Sequence, residues 1–455
     1  MEKRKAFALK SSALGVAAAF CLVPHAHAAQ PVEAETAIQL YGHLDLSIDS
    51  ATKGISNSRV AGDGTPATGR LGWQPDISSN LSYFGVRGGG GLGQGSLKAV
   101  FQMEVQVDVA ATPGPQPNNN SATDSKIPGA WASRNSFLGL AGDFGAFKVG
   151  KTDAPYKLST ARMDPFSATV GDYNSIMGNT GGDNRAEFDT RMSHAAWYES
   201  PKMGAFSFSA LYAPGQNRAS DNSIAASGEP DCTGGNLPPC NDGSFDNAFS
   251  IAAAVETGGL YGIAAYEEHG NVNRTTDEIA NGGASPDGSI GIAKEQAYKI
   301  GVQYKFPTNT TLNAIGERMT RNAPDPNFNE RQRSGWWLAL TQKIAAQDEV
   351  NLGWAHAGKT PGDVGTNRAD LNGVLQTGPG DNEANMYAVG YKHTWTKQAT
   401  WYAVYARQMN HDAAHYDLGA SGHGITTDCH DGGQSAHCFA GTTLQAVSVG
   451  MTYNF

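Results

Sequence analysis

Long apolar runs are missing from this chain. Outside Ala13–Val23, a stretch too short to cross a bilayer, nothing approaches the eighteen apolar residues of a spanning helix, so helical spans are excluded. Charge is sparse at 17%, and its balance is acidic, with 33 Lys+Arg against 43 Asp+Glu. A chain short of clustered basic residues is unsuited to nucleic acid, whose phosphates must be neutralised. Catalytic signatures are missing too: there is no P-loop, HExxH or GxSxG. Gly88–Gly93 fits GxGxxG formally, but it is a glycine-rich hairpin with no helix after it. The strand histidines His43, His194, His356 and His393 have no nucleophile signature nearby. These absences imply a protein that is not an enzyme and needs no cofactor.

Cysteine is scarce, with five in 455 residues. Cys21 falls in a segment, Met1–Ala28, that reads as a cleaved secretory signal: Lys3, Arg4, Lys5 and Lys10, then Ala13–Val23, then Ala26-His27-Ala28. Its removal takes four basic residues and Glu2, leaving 29 Lys+Arg and 42 Asp+Glu, a net charge of −13. The remaining cysteines form two close pairs, Cys232 with Cys240 and Cys429 with Cys438, in turn-rich polar segments. In an exported chain this reads as two loop disulfides. The competing reading is a metal site, because His411, His415, His423, His430 and His437 crowd the second pair; spacing alone defines no tetrahedral site.

What the chain has in quantity is alternation and glycine. From Gln445 to Phe455, Val447, Val449, Met451, Tyr453 and Phe455 fall on one face, and Ala446, Ser448, Gly450, Thr452 and Asn454 on the other. Ile38–Asp49 and Leu97–Val109 repeat the pattern. A final strand with an apolar face needs its edge closed, and pairing with the strand at Ile38–Asp49 closes it. Connections alternate in length. Seven are short, such as GDFGA at Gly142–Ala146 and PTNTT at Pro307–Thr311; eight are long, near 50–78, 110–131, 152–190, 213–246, 270–293, 320–331, 358–383 and 410–442. They predict an all-β, sixteen-stranded antiparallel transmembrane β-barrel, residues 29–455, with both termini on the short-turn side.

A barrel this wide leaves an aqueous bore. The third long segment, about 152–190, carries Phe166, Val170, Tyr173, Ile176, Met177 and Phe188. An exposed loop has no use for these, so it is expected to fold inward against the wall. Trp336, Trp337, Trp354, Trp395 and Trp401 lie on strands or near their ends and are assigned mostly to aromatic girdles at the membrane interfaces.

At this point the residues resemble the general trimeric porins of Gram-negative outer membranes. LYGHLD (Leu40–Asp45), SYFGVRG from Ser82, RNSFLGLAGDFGAFKVGK (Arg134–Lys151), DPF (Asp164–Phe166), WYESP (Trp197–Pro201) and the terminal GMTYNF (Gly450–Phe455) occur in the family's order. The resemblance covers essentially the whole mature chain. It implies a constriction where loop-three acids face wall arginines, with Arg134 and Arg191 matching two of these. The third falls at Tyr83, which puts the family's ion preference in question. His43 and Lys151 match basic wall positions. Asp164, Asp172, Asp183, Glu187 and Asp189 are the candidate loop acids. The resemblance further implies outer-membrane lipid as surroundings, a homotrimer, and small hydrophilic solutes and ions as what passes. The expected function is passive diffusion with weak cation preference. A substrate-selective channel or a loop-based adhesin are the alternatives.

Overall fold

The computed structural model describes residues 38–52, 73–93, 95–110, 132–178, 188–214, 245, 247–273, 292–322, 332–359, 383–411, 414, 416–419, 423, 425 and 441–455. The segment read as a signal, the four cysteines expected to pair, Asp183 and Glu187 lie outside the described residues.

Seventeen strand segments form one closed antiparallel sheet. Two of them, Trp73–Ser79 and Tyr83–Gly91, pair with successive parts of the first strand and are one interrupted strand, so the barrel has sixteen. In order they are β1 Gln39–Thr52, β2 in those two segments, β3 Lys98–Gln106, β4 Ser136–Gly142, β5 Gly145–Asp153, β6 Arg191–Glu199, β7 Phe206–Ala213 and β8 Asn247–Thr257. The second half comprises β9 Leu260–Asn273, β10 Ile292–Lys305, β11 Thr310–Asn322, β12 Arg333–Lys343, β13 Asp348–Ala357, β14 Ala384–Thr394, β15 Ala399–Asn410 and β16 Thr443–Asn454. The expected first long loop, 50–78, is thus shorter, because Trp73–Ser79 extends β2 along the upper part of β1. The interruption falls at Asn80–Ser82, where Leu81 has φ 55°. Asn80 turns inward there and donates to Ser47 Oγ (2.9 Å) and the Tyr402 hydroxyl (2.9 Å).

The period of two decides which side chains meet lipid. On β16, Val447, Val449, Met451 and Tyr453 are exposed outward, while Ala446, Ser448 and Gly450 are buried. β1 and β16 close the ring over His43↔Asn454 to Ala51↔Ala446. The seam ends on a reciprocal backbone pair, Gly42 N to Phe455 O (2.9 Å) and Phe455 N to Gly42 O (3.1 Å). A Cβ at Gly42 would stand 2.3 Å from the Phe455 ring, so glycine there lets the last side chain lie across the joint.

The core is in the bore. Met163, Phe166, Val170, Tyr173, Ile176 and Met177 of loop three (154–190) pack with Trp337, Met386, Tyr402 and Val404 of the wall and with Tyr416, Leu418 and Ile425 of loop eight (411–442). Small wall residues, Ala339, Ala355, Ala388 and Ala406 among them, leave room for the loop. Trp337 departs from the girdle expectation. It is fully buried in the lumen, its indole nitrogen donates to Met163 O (3.1 Å), and Phe166 meets its ring edge-on. Alternation is the reason: Trp336 faces outward, so its neighbour must face inward. Trp395 remains half exposed on the outer side.

Candidate functional site

Among the described residues, two clusters of inward-pointing charge stand out on the lumen wall. The first spans β1–β6. Arg134 lies two residues before the start of β4 and is nearly inaccessible to water; its Nε donates to Glu104 Oε1 (2.8 Å) and its Nη1 to Gln106 Oε1 (3.3 Å). Its guanidinium lies 4.9 Å over the Tyr83 ring. Tyr83 thus offers Arg134 an aromatic face that a planar cation favours. Glu104 Oε2 also accepts from the Tyr41 hydroxyl (3.0 Å). His43 lies beside the same ring, centroids 5.6 Å apart, with Nδ1 2.8 Å from Asn454 Oδ1. Two strands further, Arg191 opens β6. Its Nη2 is 3.1 Å from Asp153 Oδ1, and its Nε donates to Asn135 Oδ1 (2.9 Å). Lys157, on the short helix Pro155–Thr160, approaches Asp153 Oδ1 at 3.1 Å. Lys151 occupies an irregularity where the β5–β6 register shifts between Gly150 and Thr152, and is half-buried.

The loop acids have different employments. Asp164 accepts the amides of Phe166 (2.9 Å) and Tyr173 (3.2 Å). Asp172 accepts those of Ala168 (2.8 Å) and Asn174 (2.8 Å). Both thus shape loop three by closing its turns. Burial pushes both carboxyls up from the ordinary range, and the neighbouring Asp172 pushes Asp164 further. Asp189 is ion-paired with Lys299 of β10. Burial raises its carboxyl, and the ammonium works against that.

The second charged part spans β9–β12, and the sequence reading passed over it. Lys299 holds Asp189, donates to Thr160 Oγ1 (3.2 Å) and sits 3.9 Å over the Tyr156 ring. Glu317 accepts the Tyr156 hydroxyl (2.9 Å) and the Gly178 amide (3.0 Å). Arg333 approaches Glu317 at 3.6 Å and donates to the Ile176 carbonyl. Arg321 pairs with Glu295 (2.7 Å), and His269 lies between the rings of Phe188 and Phe245. The available signal was parity: Lys299, Glu317, Arg321 and Arg333 all fall on the inward face of their strands. Among the described residues no group of three or more His, Cys, Asp or Glu is placed to hold a metal ion.

The structure thus assembles His43, Tyr83 and Arg134 in one cluster and Arg191 in the adjoining one. Asp164 and Asp172 lie inside the loop's own fold, and Asp189 lies at the opposite wall. A transverse field between loop acids and wall arginines requires charges facing across water. Arg134 instead bonds to Glu104 and Gln106 and lies over Tyr83, all on the wall itself.

A family model described as Gram-negative porin matches residues 13–413. Major outer membrane protein P.IA of Neisseria meningitidis serogroup C is 27% identical over 271 residues, which are 58% of this chain and 64% of that protein. Major outer membrane protein P.IB of Neisseria meningitidis serogroup B is 30% identical over 196 residues, 43% of this chain and 50% of that one. Among solved structures, the anion-selective porin from Comamonas acidovorans superimposes with a TM-score of 0.62 at 18% identity, covering 92% of this chain and all of that one. Salmonella typhi OmpF in complex with daunomycin gives 0.55 at 15% identity, covering 92% and 97%. At these identities the structural likeness speaks for the fold.

Proposed function

We propose, from the premise that the chain belongs to the Gram-negative porin family and is a bacterial outer-membrane protein, that it forms a water-filled channel for passive diffusion of small hydrophilic solutes and ions. One observation carries the reading: loop three is packed inside the barrel, with Phe166, Ile176 and Met177 fully buried against the wall. A sixteen-stranded barrel is too wide to fill its bore with its own wall side chains. A loop docked inside narrows the bore without closing the ends, which is what a size limit requires. The wall of the narrowed part is proposed to be His43, Tyr83, Arg134, Lys151 and Arg191.

Weak cation preference remains the proposal for selectivity. Arg134 and Arg191 each have a wall carboxylate beside them, Glu104 and Asp153, which offsets their charge. The mature net charge of −13 then enriches cations at the mouths. A homotrimer in outer-membrane lipid is proposed from the family. The test is reconstitution of the full mature chain in planar bilayers. Stepwise conductance, with a reversal potential of cationic sign in a salt gradient, is expected; a barrel that inserts without current steps sinks the channel reading in favour of a binding role for the outer loops. An anionic reversal potential sinks the selectivity alone.

A further inference from the structure

The described residues of loop eight include several that enter the bore. Tyr416, Leu418 and Ile425 are buried against loop three and the wall. Asn410, at the end of β15, donates to Tyr416 O (2.9 Å) and accepts its amide (3.0 Å). The Gly419 amide donates to Ser175 Oγ of loop three (3.1 Å). Between these contacts sits His423, shielded from water, with each ring nitrogen against a different element. Nδ1 is 2.6 Å from Asp49 Oδ2 on β1, and Nε2 is 3.3 Å from the Ala168 carbonyl of loop three. A carbonyl oxygen can only accept, and an ionised carboxylate can only accept. A neutral imidazole has one N–H and can satisfy one of them; only the imidazolium satisfies both.

We infer that His423 is a cationic clamp tying loop eight to the barrel wall and to loop three, so that two loops set the bore and the bore widens when this imidazole loses its proton. The inference rests on the channel reading above. The titratable groups facing the ring are Asp49 and Asp45 of β1 and Asp172 of loop three. Around them, Tyr402 of β15 donates to Asp45 (2.8 Å), Ser78 of β2 donates to Asp49 (2.7 Å), and Lys392 of β14 acts on Asp45. Burial lowers the His423 pKa, while the hydrogen bond to Asp49 and its charge outweigh that, for a net rise. The sign follows. A group raised in the folded state holds its contact fully below its ordinary value and gives it up as pH climbs through the folded value. The clamp is therefore closed in acid and opens toward alkaline pH.

The test is single-channel conductance of the full mature protein from about pH 5 to pH 10, a window that brackets a raised histidine. Wild type is expected to show one upward conductance step with pH. His423→Gln is expected to lose that step, and Asp49→Asn to move it to lower pH. Wild-type conductance that is flat with pH, or a step that survives in His423→Gln, overturns the clamp. A second readout is independent of current and of whether either variant folds well. In protein labelled with 15N-histidine, wild type at neutral pH should show a buried ring with both nitrogens protonated, and a neutral ring overturns the clamp. No current steps in any variant overturns the channel reading and the bore half of the inference, and the nitrogen spectrum still decides the clamp.

Discussion

On β1–β6 Arg134 and Arg191 bond along the wall; on β9–β12 Lys299, Glu317 and Arg333 reach off it. Arg134 meets Glu104, Gln106 and Tyr83, and Arg191 meets Asp153 and Asn135, all from neighbouring strands or their ends. Lys299, Glu317 and Arg333 instead take up Asp189, Thr160, Tyr156, Gly178 and the Ile176 carbonyl, all on loop three. The same residue types, on the same face of the same kind of strand, bond along the wall on one side and anchor loop three on the other. The difference teaches that a lumen charge cannot be assigned to ion selection from its position alone. A buried charge must be paired or solvated, and the nearest partner decides whether it faces water.

The sharpest way to break the comparison is Trp337→Ala. Removing a fully buried indole under loop three should cost about 3–5 kcal/mol, read as a lower urea midpoint of the folded barrel, and should raise conductance as the loop loosens. The adjacent Trp336→Ala is its control. That ring is outward and stacks on His356 at 3.9 Å, so conductance should stay at the wild-type level. Glu317→Gln comes next. It keeps the shape but weakens a carboxylate that accepts from Tyr156 and Gly178, with an expected loss of about 1–3 kcal/mol and noisier, larger current steps. A Glu317→Gln channel with wild-type conductance would mean the β9–β12 charges do not hold the loop. The smallest effect is expected from Tyr83→Leu, which removes the face under Arg134 at about 0.5–2 kcal/mol. Its conductance should change little, but the reversal potential should shift, because Arg134 is freed to turn toward water. An unchanged reversal potential would show that the β1–β6 charges are structural as well.

The barrel was readable because its rule is local. A side chain two positions along a strand returns to the same face, so Val447, Val449 and Met451 declared the lipid side without knowledge of any partner. Loop lengths sorted the two ends, and the break in β2 was missed because nothing in Trp73–Ser79 alternates strongly. Trp337 was within reach of the same rule, since its neighbour Trp336 is outward. Asp164 and Asp172 carried a different signal. Each is followed two residues on by an amide it accepts, the ordinary use of aspartate in a turn, and Asp164 precedes a proline. His423 had no local signal: its partners, Asp49 and Ala168, are hundreds of residues away.

By itself the sequence determined the alternation, the strand count, the closure of Gln445–Phe455 on the first strand, and an inward third loop, because each depends on residue spacing and on the need to bury or wet one face. Only the tertiary structure decided which lumen charges anchor loop three and which pair along the wall, that Tyr83 serves as a platform for Arg134, and that loop eight joins loop three. Those outcomes depend on which groups meet across the bore, and a contact between distant strands leaves no periodic trace in the chain.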